Sequence, residues 1–323
     1  MTPAADDLVF INTGGTPYGS HAHGLVTKCI RLYGYVRVIG MRFPPNPGQL
    51  MGSLLHVGLA HAYAKKGAAQ PGGVPVDGVR VTDPDTVMEP EAAVIRASRE
   101  LTKECNTIDW DGPSTADIDL TLQALAAYNE RWTFEERNER VLGVECELKM
   151  EIPDSTGTLR PYTQRVDLAV KDHLGHVWYR DHKRLARAGG ALVRYQMERQ
   201  FLTMRMLGMQ RHGDRFMGVA VNLIKPEKKG GISSFKFERV APKPAHHALF
   251  RVWEDTAQWK EYLDWVVSRW GGTPKDVWNW PQVDNGEICH GPFGICPAFD
   301  LCARGPHGND ARIHIPAAAM PDL

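Results

Sequence analysis

The sequence predicts an α/β protein with a small mixed sheet flanked by helices. Three observations support this fold class. Residues 140–184 contain three strand-like runs of alternating or apolar residues separated by short turns. Segments with apolar residues at helical spacing come before and after this block. A further apolar run follows the later helix, so the central order is helix, strand, strand, strand, helix, strand, which is typical of α/β proteins.

The region before the strands is predicted to be helical. The predicted helices are 20–40, 48–66, 89–104 and a segment that begins at Pro113–Ser114. The last of these places Ile118, Leu122, Leu125 and Tyr128 roughly on one face. Residues 67–93 are rich in glycine, proline and aspartate, which indicates an irregular loop.

The rest of the chain alternates between strands and helices. The predicted elements are strands 140–152, 160–170 and 176–184, helix 191–210, strands 215–225 and 233–240, and helix 247–270. The first three strands are joined by short turns, which predicts a meander. The last 50 residues have no sustained periodicity and are expected to form loops that carry three cysteines.

Bulk composition excludes little about function. The 323 residues include 38 Lys plus Arg and 38 Asp plus Glu, so any basic surface for nucleic acid must arise by local segregation of charge. The sequence contains no run of about 18 apolar residues, which argues against a membrane span. The N-terminus lacks a basic start followed by an apolar block, so no secretory signal is expected. These features predict a cytoplasmic protein, in which disulfides are rare.

Acidic residues fall at the predicted ends of adjacent strands. Asp181 and Lys183 are two residues apart, so their side chains point to the same face of a strand. Asp167 lies in the preceding strand. Two close carboxylates repel each other unless a cation lies between them, and oxygen ligands suit Mg²⁺ or Mn²⁺. Alternatively, Asp181 and Lys183 form an ordinary surface pair near a turn.

The order of these residues resembles that of the PD-(D/E)xK nucleases. Within that superfamily it is similar to the RecB-like branch, which includes the AddB nucleases and the CRISPR-adaptation nucleases with an iron–sulfur cluster. The resemblance covers residues 18–305 and rests on Gly52 and His56 in "GSLLH", Glu145 in "VLGVECEL", Asp167 in "QRVDLAV", Asp181 and Lys183 in "DHK", and Gln200. One position departs from the family pattern, because Met204 stands where the family has a tyrosine.

The resemblance implies a restriction-endonuclease-like core within a single nuclease domain over 1–323. An N-terminal helical part, 18–66, would contribute Cys29 and His56. The catalytic core would span 140–225. A C-terminal helix and cysteine segment, 241–323, would be joined to the N-terminal part by a metal cluster.

The resemblance also implies hydrolysis of DNA phosphodiesters with roles for each motif residue. His56, Asp167, Asp181 and the backbone carbonyl of His182 would bind Mg²⁺ or Mn²⁺. Lys183 would orient water or stabilise negative charge on the phosphate. Gln200 would position Lys183 or the DNA backbone. Glu145 would hold a water beyond the direct ligands of the metal, or a second metal, although a surface glutamate fits the sequence nearly as well.

The cysteines predict a second metal site. Cys289, Cys296 and Cys302 are separated by six and five residues, and thiolates bind zinc or iron–sulfur clusters, usually in fours. The resemblance implies that Cys29 is the fourth ligand and that the site holds a [4Fe–4S] cluster. Zinc, a ligand role for His290 in place of Cys289, and three unrelated buried cysteines remain open.

DNA is the predicted partner of the chain. Arg194, Arg199, Lys228 and Lys229 are candidate phosphate contacts, although any one could belong to a solvated charged face. The resemblance implies an exonuclease acting in recombination, repair or phage replication, in the host cytoplasm if the protein is viral. A recombinase, a single-strand-binding protein or a helicase would act with it. The competing hypotheses are a non-catalytic DNA-binding scaffold, which Met204 favours, and a zinc-stapled interaction module.

Overall fold

A computed structural model describes residues 25, 29–70, 87–133, 135–153, 156–184, 195–196, 198–229, 232–281, 289–291, 294–296 and 298–304. The chain divides into two compact units. The first unit draws its described residues from Met1–Pro44, Lys149–Thr163 and Phe250–Leu323, and the second from Pro45–Leu148 and Gln164–Leu249. All candidate nuclease residues therefore belong to the second unit, and the four candidate cluster cysteines belong to the first.

Fourteen regular elements are used below to locate the side chains. The helices are α1 (Ile30–Tyr33, continued by a π-helical turn Gly34–Val38), α2 (Pro47–Ala68), α3 (Pro90–Thr107), α4 (Thr115–Thr133), α5 (Arg199–His212), α6 (His246–Trp270) and α7 (Phe299–Arg304). The strands are β1 (Arg140–Pro153), β2 (Leu159–Lys171), β3 (Val177–Arg184), β4 (Phe216–Lys229), β5 (Ile232–Val240), β6 (His290–Gly291) and β7 (Gly294–Ile295).

The main sheet has five strands in the order β1-β2-β3-β4-β5. Strands β2 and β3 pair antiparallel, β3 and β4 pair parallel, and β4 and β5 pair antiparallel. A parallel pair needs a crossover connection, and α5 lies in the segment that joins β3 to β4. The prediction of an α/β protein with a small mixed sheet flanked by helices is confirmed.

Helix α2 is the central helix of the second unit. It begins with a capping box between Asn46 and Gln49 and with Pro47 in the first turn, all of which favour a helix start. It packs closely against α3 and α4 at Gly58. A Cβ atom at that position would lie 2.8 Å from Val94 and 2.9 Å from Leu125. The lack of a side chain therefore allows the three helices to approach each other.

The first unit has its own apolar core. Buried residues of α1 and the following π-helical turn pack with α6 and with the 3₁₀ helix Asp276–Asn279. The rings of Tyr33 and Trp280 are stacked with centroids 6.5 Å apart. Cys29, Cys296 and Cys302 pack, partly buried, against this core. None of the described helices is long and apolar enough to cross a membrane.

Most predicted elements are present, and the differences lie at their ends. The helix predicted over 191–210 is described as α5 from Arg199, with two further helical residues at 195–196, while 191–194 and 197 lie outside the described residues. The strand predicted over 215–225 extends to Lys229, because its partner β5 continues the ladder to that residue. The segment predicted as loops contains β6, β7 and α7, which are too short to show a periodicity in the sequence.

Candidate functional site

The site lies where strands β2 and β3 separate. Their described pairing runs from Lys171 opposite Val177 to Leu168 opposite Arg180. Beyond that point a side chain replaces the backbone as hydrogen-bond acceptor: the backbone N–H of His182 donates to Asp167 Oδ2 at 2.8 Å. This departure from the ladder brings the Asp167 carboxylate against the segment Asp181–Lys183.

Helix α2 contributes His56 to the same place. His56 Nε2 lies 2.7 Å from the backbone oxygen of His182, and His56 Nδ1 lies 3.4 Å from Asp167 Oδ2. The side chain of His56 is about one third exposed, so one side of the ring faces solvent. The structure thus brings together three of the groups that the sequence analysis assigned to a metal: His56, Asp167 and the carbonyl of His182.

Strand β1 contributes Glu145 through a strained backbone. Glu145 has φ of 51°, a left-handed conformation that costs a non-glycine residue about 1–2 kcal/mol. Its carboxylate lies 3.6 Å from Arg165, and its side chain is 19% exposed. One ligand atom from each of His56, Glu145 and Asp167 lies within 4.8 Å of the others. Glu145 thus has a strained backbone and points its carboxylate at the site. An ordinary surface glutamate would point at solvent.

Asp181, Lys183 and Gln200 form a second group beside the first. Lys183 Nζ lies 2.9 Å from Asp181 Oδ2, and Gln200 Nε2 donates to Asp181 Oδ1 at 2.7 Å. Lys183 also donates to Gln200 Oε1 at 3.3 Å. Asp181 is fully buried, whereas 28% of the Lys183 side chain is exposed. Gln200 therefore contacts both members of the pair.

Met204 lies one turn after Gln200 on α5 and is completely buried in the core. The hydrogen bonds of Gln200 to Asp181 and Lys183 form without a tyrosine at this position. The departure from the family pattern at Met204 thus leaves the geometry of the Asp181–Lys183–Gln200 group intact.

The three carboxyl groups differ in their affinity for protons. Burial would raise the pKa of Asp167, but His56 and His182 outweigh burial and hold it well below its usual range. Burial raises the pKa of Glu145 to about 7, and the charge of Asp167 acts in the same direction. The same two causes raise the pKa of Asp181 to about 7, against the opposing effect of Lys183. These raised pKa values mean that the site lacks positive charge for all three carboxylates, which a divalent cation would supply.

The four candidate cluster cysteines lie near one another within the first unit. Strands β6 and β7 form a small hairpin that brings the backbone N–H of Cys296 to 2.7 Å from the Cys289 oxygen. Burial raises the pKa of the Cys302 thiol, and the nearby thiols of Cys29 and Cys296 act in the same direction. No three of the described cysteine sulfurs lie within 4.8 Å of one another.

The candidate DNA-binding residues are only partly described. Arg199 begins α5, directly before Gln200, and is partly exposed. Arg194 lies outside the described residues. Lys228 and Lys229 end strand β4, but their side chains lie outside the described part of the chain.

Sequence reasoning missed a group of buried polar residues behind the site. Tyr128 was assigned to the apolar face of its helix, yet its hydroxyl lies 3.0 Å from His182 Nε2. Glu136 is 3% exposed and pairs with two arginines, Arg180 and Arg239. The sequence did offer one signal. His182 lies between Asp181 and Lys183 on a strand expected to be buried, and a buried imidazole needs a polar partner.

Comparisons with known proteins give little information about this chain. No family model and no curated protein matches it. Among solved structures it is similar to one described as "Crystal structure of SSO0001", with 14% identity over 50% of this chain and 70% of that chain, and a TM-score of 0.25. A similarity this low carries no argument about fold or function.

Proposed function

We propose that this protein is a metal-dependent DNA nuclease of the PD-(D/E)xK superfamily, in its RecB-like branch, with a restriction-endonuclease-like core. One observation carries the proposal. Ligand atoms of His56, Glu145 and Asp167, which come from one helix and two strands, converge within 4.8 Å beside the Asp181–Lys183 pair. Residues far apart in the sequence thus gather at one point, and their types are those that bind a divalent cation and a phosphate.

The donor set fits Mg²⁺ or Mn²⁺. Asp167 and Glu145 offer carboxylate oxygens, His56 offers an imidazole nitrogen, and His182 offers a backbone carbonyl, which together match the preferences of these ions for oxygen with some nitrogen. Asp181 is placed to join them or to hold Lys183. A bound ion would lower the pKa of water and offset the charge that develops on the phosphate during hydrolysis.

Lys183 is the residue that would act on the phosphate or on the attacking water. Burial would lower the pKa of Lys183, but the Asp181 carboxylate outweighs burial and raises it, so the side chain remains an ammonium. Its contacts with Asp181 and Gln200 fix the position of the charge. The partial exposure of Lys183 allows a phosphate oxygen or a water to reach it.

The substrate of this chemistry would be DNA. Arg199 would contact the phosphate backbone next to the Asp181–Lys183–Gln200 group, and we assign the same role to Arg194, Lys228 and Lys229. An exonuclease acting in recombination, repair or phage replication fits such a site. A recombinase, a single-strand-binding protein or a helicase would be its partner.

We further propose that Cys29, Cys289, Cys296 and Cys302 hold a [4Fe–4S] cluster. All four residues belong to one unit, and four thiolates are the usual ligands of such a cluster. A bound cluster would link segments distant in sequence and would contribute to folding of that unit.

The proposed nuclease is tested by cleavage of labelled linear single- and double-stranded DNA with Mg²⁺ or Mn²⁺. Lys183→Ala is expected to abolish cleavage. Lys171→Ala is the matched control, since Lys171 lies on β2 at the opposite end of the β2–β3 pairing. Folded wild-type protein that cleaves neither substrate with either ion would contradict the proposal, as would a Lys183→Ala variant that retains full activity.

A further inference from the structure

A continuous series of buried polar side chains leads from Asp167 away from the candidate metal centre. Each member lies within hydrogen-bonding or ion-pair distance of the next. In order from the site, the series is Asp167, His182, Tyr128, Tyr63 and Glu136, with Asn222, Arg180, Arg239 and Lys66 attached. Its members come from α2, α4, β2, β3, β4, β5 and the segment after α4, all within the second unit.

The ring of His182 is the link between Asp167 and the rest of the series. His182 Nδ1 lies 3.6 Å from Asp167 Oδ2, and Nε2 lies 3.0 Å from the Tyr128 hydroxyl. A carboxylate can only accept a hydrogen bond, so the nitrogen that faces Asp167 carries the proton. Nε2 of the neutral ring then accepts from Tyr128. The carboxylate of Asp167 thus sets the tautomer, and the contact with Tyr128 fixes the orientation of the ring.

Tyr128 is held by groups on its other side. The amide of Asn222 donates to its hydroxyl at 2.7 Å, and the Tyr63 hydroxyl lies 3.0 Å away. Tyr63 in turn donates to Glu136 at 2.8 Å. Glu136 is fixed by Arg180 and Arg239, and the guanidinium of Arg239 also donates to Asn222 at 2.6 Å. Because the Tyr128 proton goes to His182 and the Tyr63 proton goes to Glu136, the hydrogen bond from Asn222 is the one that holds Tyr128, and Arg239 holds Asn222.

Such a series is costly if its only purpose is packing. Tyr63, Tyr128, Glu136, His182 and Asn222 are each between 0% and 4% exposed. Burying polar groups stabilises a protein little even when they are paired, and apolar residues of similar volume often do as well or better. The series ends at a carboxylate that the structure places in the candidate metal centre, so a role at that carboxylate is the simplest reason for its presence.

We propose that His182 is a positioning residue for Asp167, and that Tyr128 holds the imidazole in the orientation this requires. The backbone N–H of His182 donates to Oδ2 of Asp167 at 2.8 Å, and the ring Nδ1 lies 3.6 Å from the same oxygen. His56 approaches the same oxygen. These three contacts all involve Oδ2, which would leave Oδ1 for a cation. This inference rests on the proposed function, because it assumes that Asp167 binds a divalent ion.

The chain contains a matched control for this idea. Tyr179 and His212 form a second tyrosine–histidine pair, with a hydroxyl-to-Nε2 distance of 2.9 Å and ring centroids 5.6 Å apart at 75°. The corresponding values for Tyr128 and His182 are 3.0 Å, 5.5 Å and 66°. Both tyrosines are 1% exposed. Tyr128→Phe and Tyr179→Phe thus each remove a tyrosine–histidine contact of similar geometry, although His212 is less buried than His182. Of these two tyrosines, Tyr128 is the one connected to Asp167.

The test is direct binding of Mn²⁺ by the full chain, measured from the electron paramagnetic resonance signal of free Mn²⁺. Loss of a group that orients a metal ligand typically weakens metal binding about 10- to 100-fold. We therefore expect the Kd for Mn²⁺ to rise by about that factor in Tyr128→Phe and to stay within about twofold of wild type in Tyr179→Phe. Thermal unfolding of both variants without metal measures how much each hydroxyl contributes to stability, separately from metal binding.

His182→Gln is a second variant that retains a polar group near Tyr128 and removes the ring nitrogen that faces Asp167. We expect it to weaken Mn²⁺ binding at least as much as Tyr128→Phe. Wild-type binding in both Tyr128→Phe and His182→Gln would overturn the inference, and so would equal weakening in Tyr179→Phe. A wild-type protein that binds no Mn²⁺ would instead overturn the proposed function, and the inference with it.

Discussion

Removal of the Glu145 carboxylate should stabilise the metal-free protein at high pH. In Glu145→Gln the amide has nearly the same shape as the carboxyl group but carries no charge. The folded protein raises the pKa of Glu145 to about 7 from an ordinary value of 4.5. Between these values the folded state binds the proton that the unfolded state releases. The free energy of unfolding of wild type therefore falls as the pH rises from about 4.5 through 7.

The size of this effect follows from the same pKa. The rise from 4.5 to about 7 corresponds to about 3 kcal/mol, at 1.36 kcal/mol per pH unit. Glu145 is 19% exposed and its neighbours can rearrange, so we expect Glu145→Gln to be more stable than wild type by about 1–2 kcal/mol at pH 8. The advantage should shrink by more than half by pH 5, where the folded wild type holds its proton.

The assay is urea unfolding in a chelator at pH 5, 6, 7 and 8. Glu147→Gln is the matched control, because Glu147 lies two residues further along β1 and is exposed to solvent. Saturating Mn²⁺ should reverse the order, since a cation that binds the folded state stabilises wild type more than the variant. A Glu145→Gln variant less stable than wild type at pH 8 without metal, or a difference that does not change with pH, would refute the reasoning.

Two further predictions concern metal binding and helix packing. The Kd for Mn²⁺ should rise as the pH falls from 8 to 6, by about tenfold in total for each proton that the ion displaces from Glu145 or Asp181, since both pKa values are about 7; a Kd that is constant in a Mn²⁺ titration over this range would contradict it. On α2, Gly58→Ala should destabilise by about 1 kcal/mol, because its Cβ would contact Val94 at 2.8 Å. Gly52→Ala should instead stabilise by about 0.5–1 kcal/mol, since its Cβ meets nothing within 4 Å; equal thermal shifts for the two variants would show that close packing does not decide the outcome.

The sequence was informative where local patterns carry the signal. The period of α2 and the turns around β2 and β3 predicted these elements to within a few residues, and motif spacing placed His56 on α2, Asp167 on β2 and Lys183 on β3. In the structure these three residues lie in one region, because α2, β2 and β3 pack next to one another. Their joint role in a nuclease remains a proposal.

Other features depend on contacts between residues far apart in the chain. The positive φ of Glu145 is imposed by its surroundings in β1, and alternation along that strand gives no sign of it. The contact of Tyr128 with His182 joins positions 54 residues apart. On a helical wheel, Tyr128 is simply one more residue of the apolar face, because periodicity registers burial and does not reveal the partner of a buried hydroxyl.

The most direct test of the proposed nuclease is DNA cleavage as a function of Mn²⁺ concentration in wild type, Asp167→Asn and Asp172→Asn. Asp167 lies in the candidate metal centre, whereas Asp172 accepts backbone hydrogen bonds in the turn after β2. We predict that wild type and Asp172→Asn cleave DNA in a Mn²⁺-dependent manner and that Asp167→Asn does not. Cleavage by Asp167→Asn with the Mn²⁺ dependence of wild type would contradict the assignment of this site.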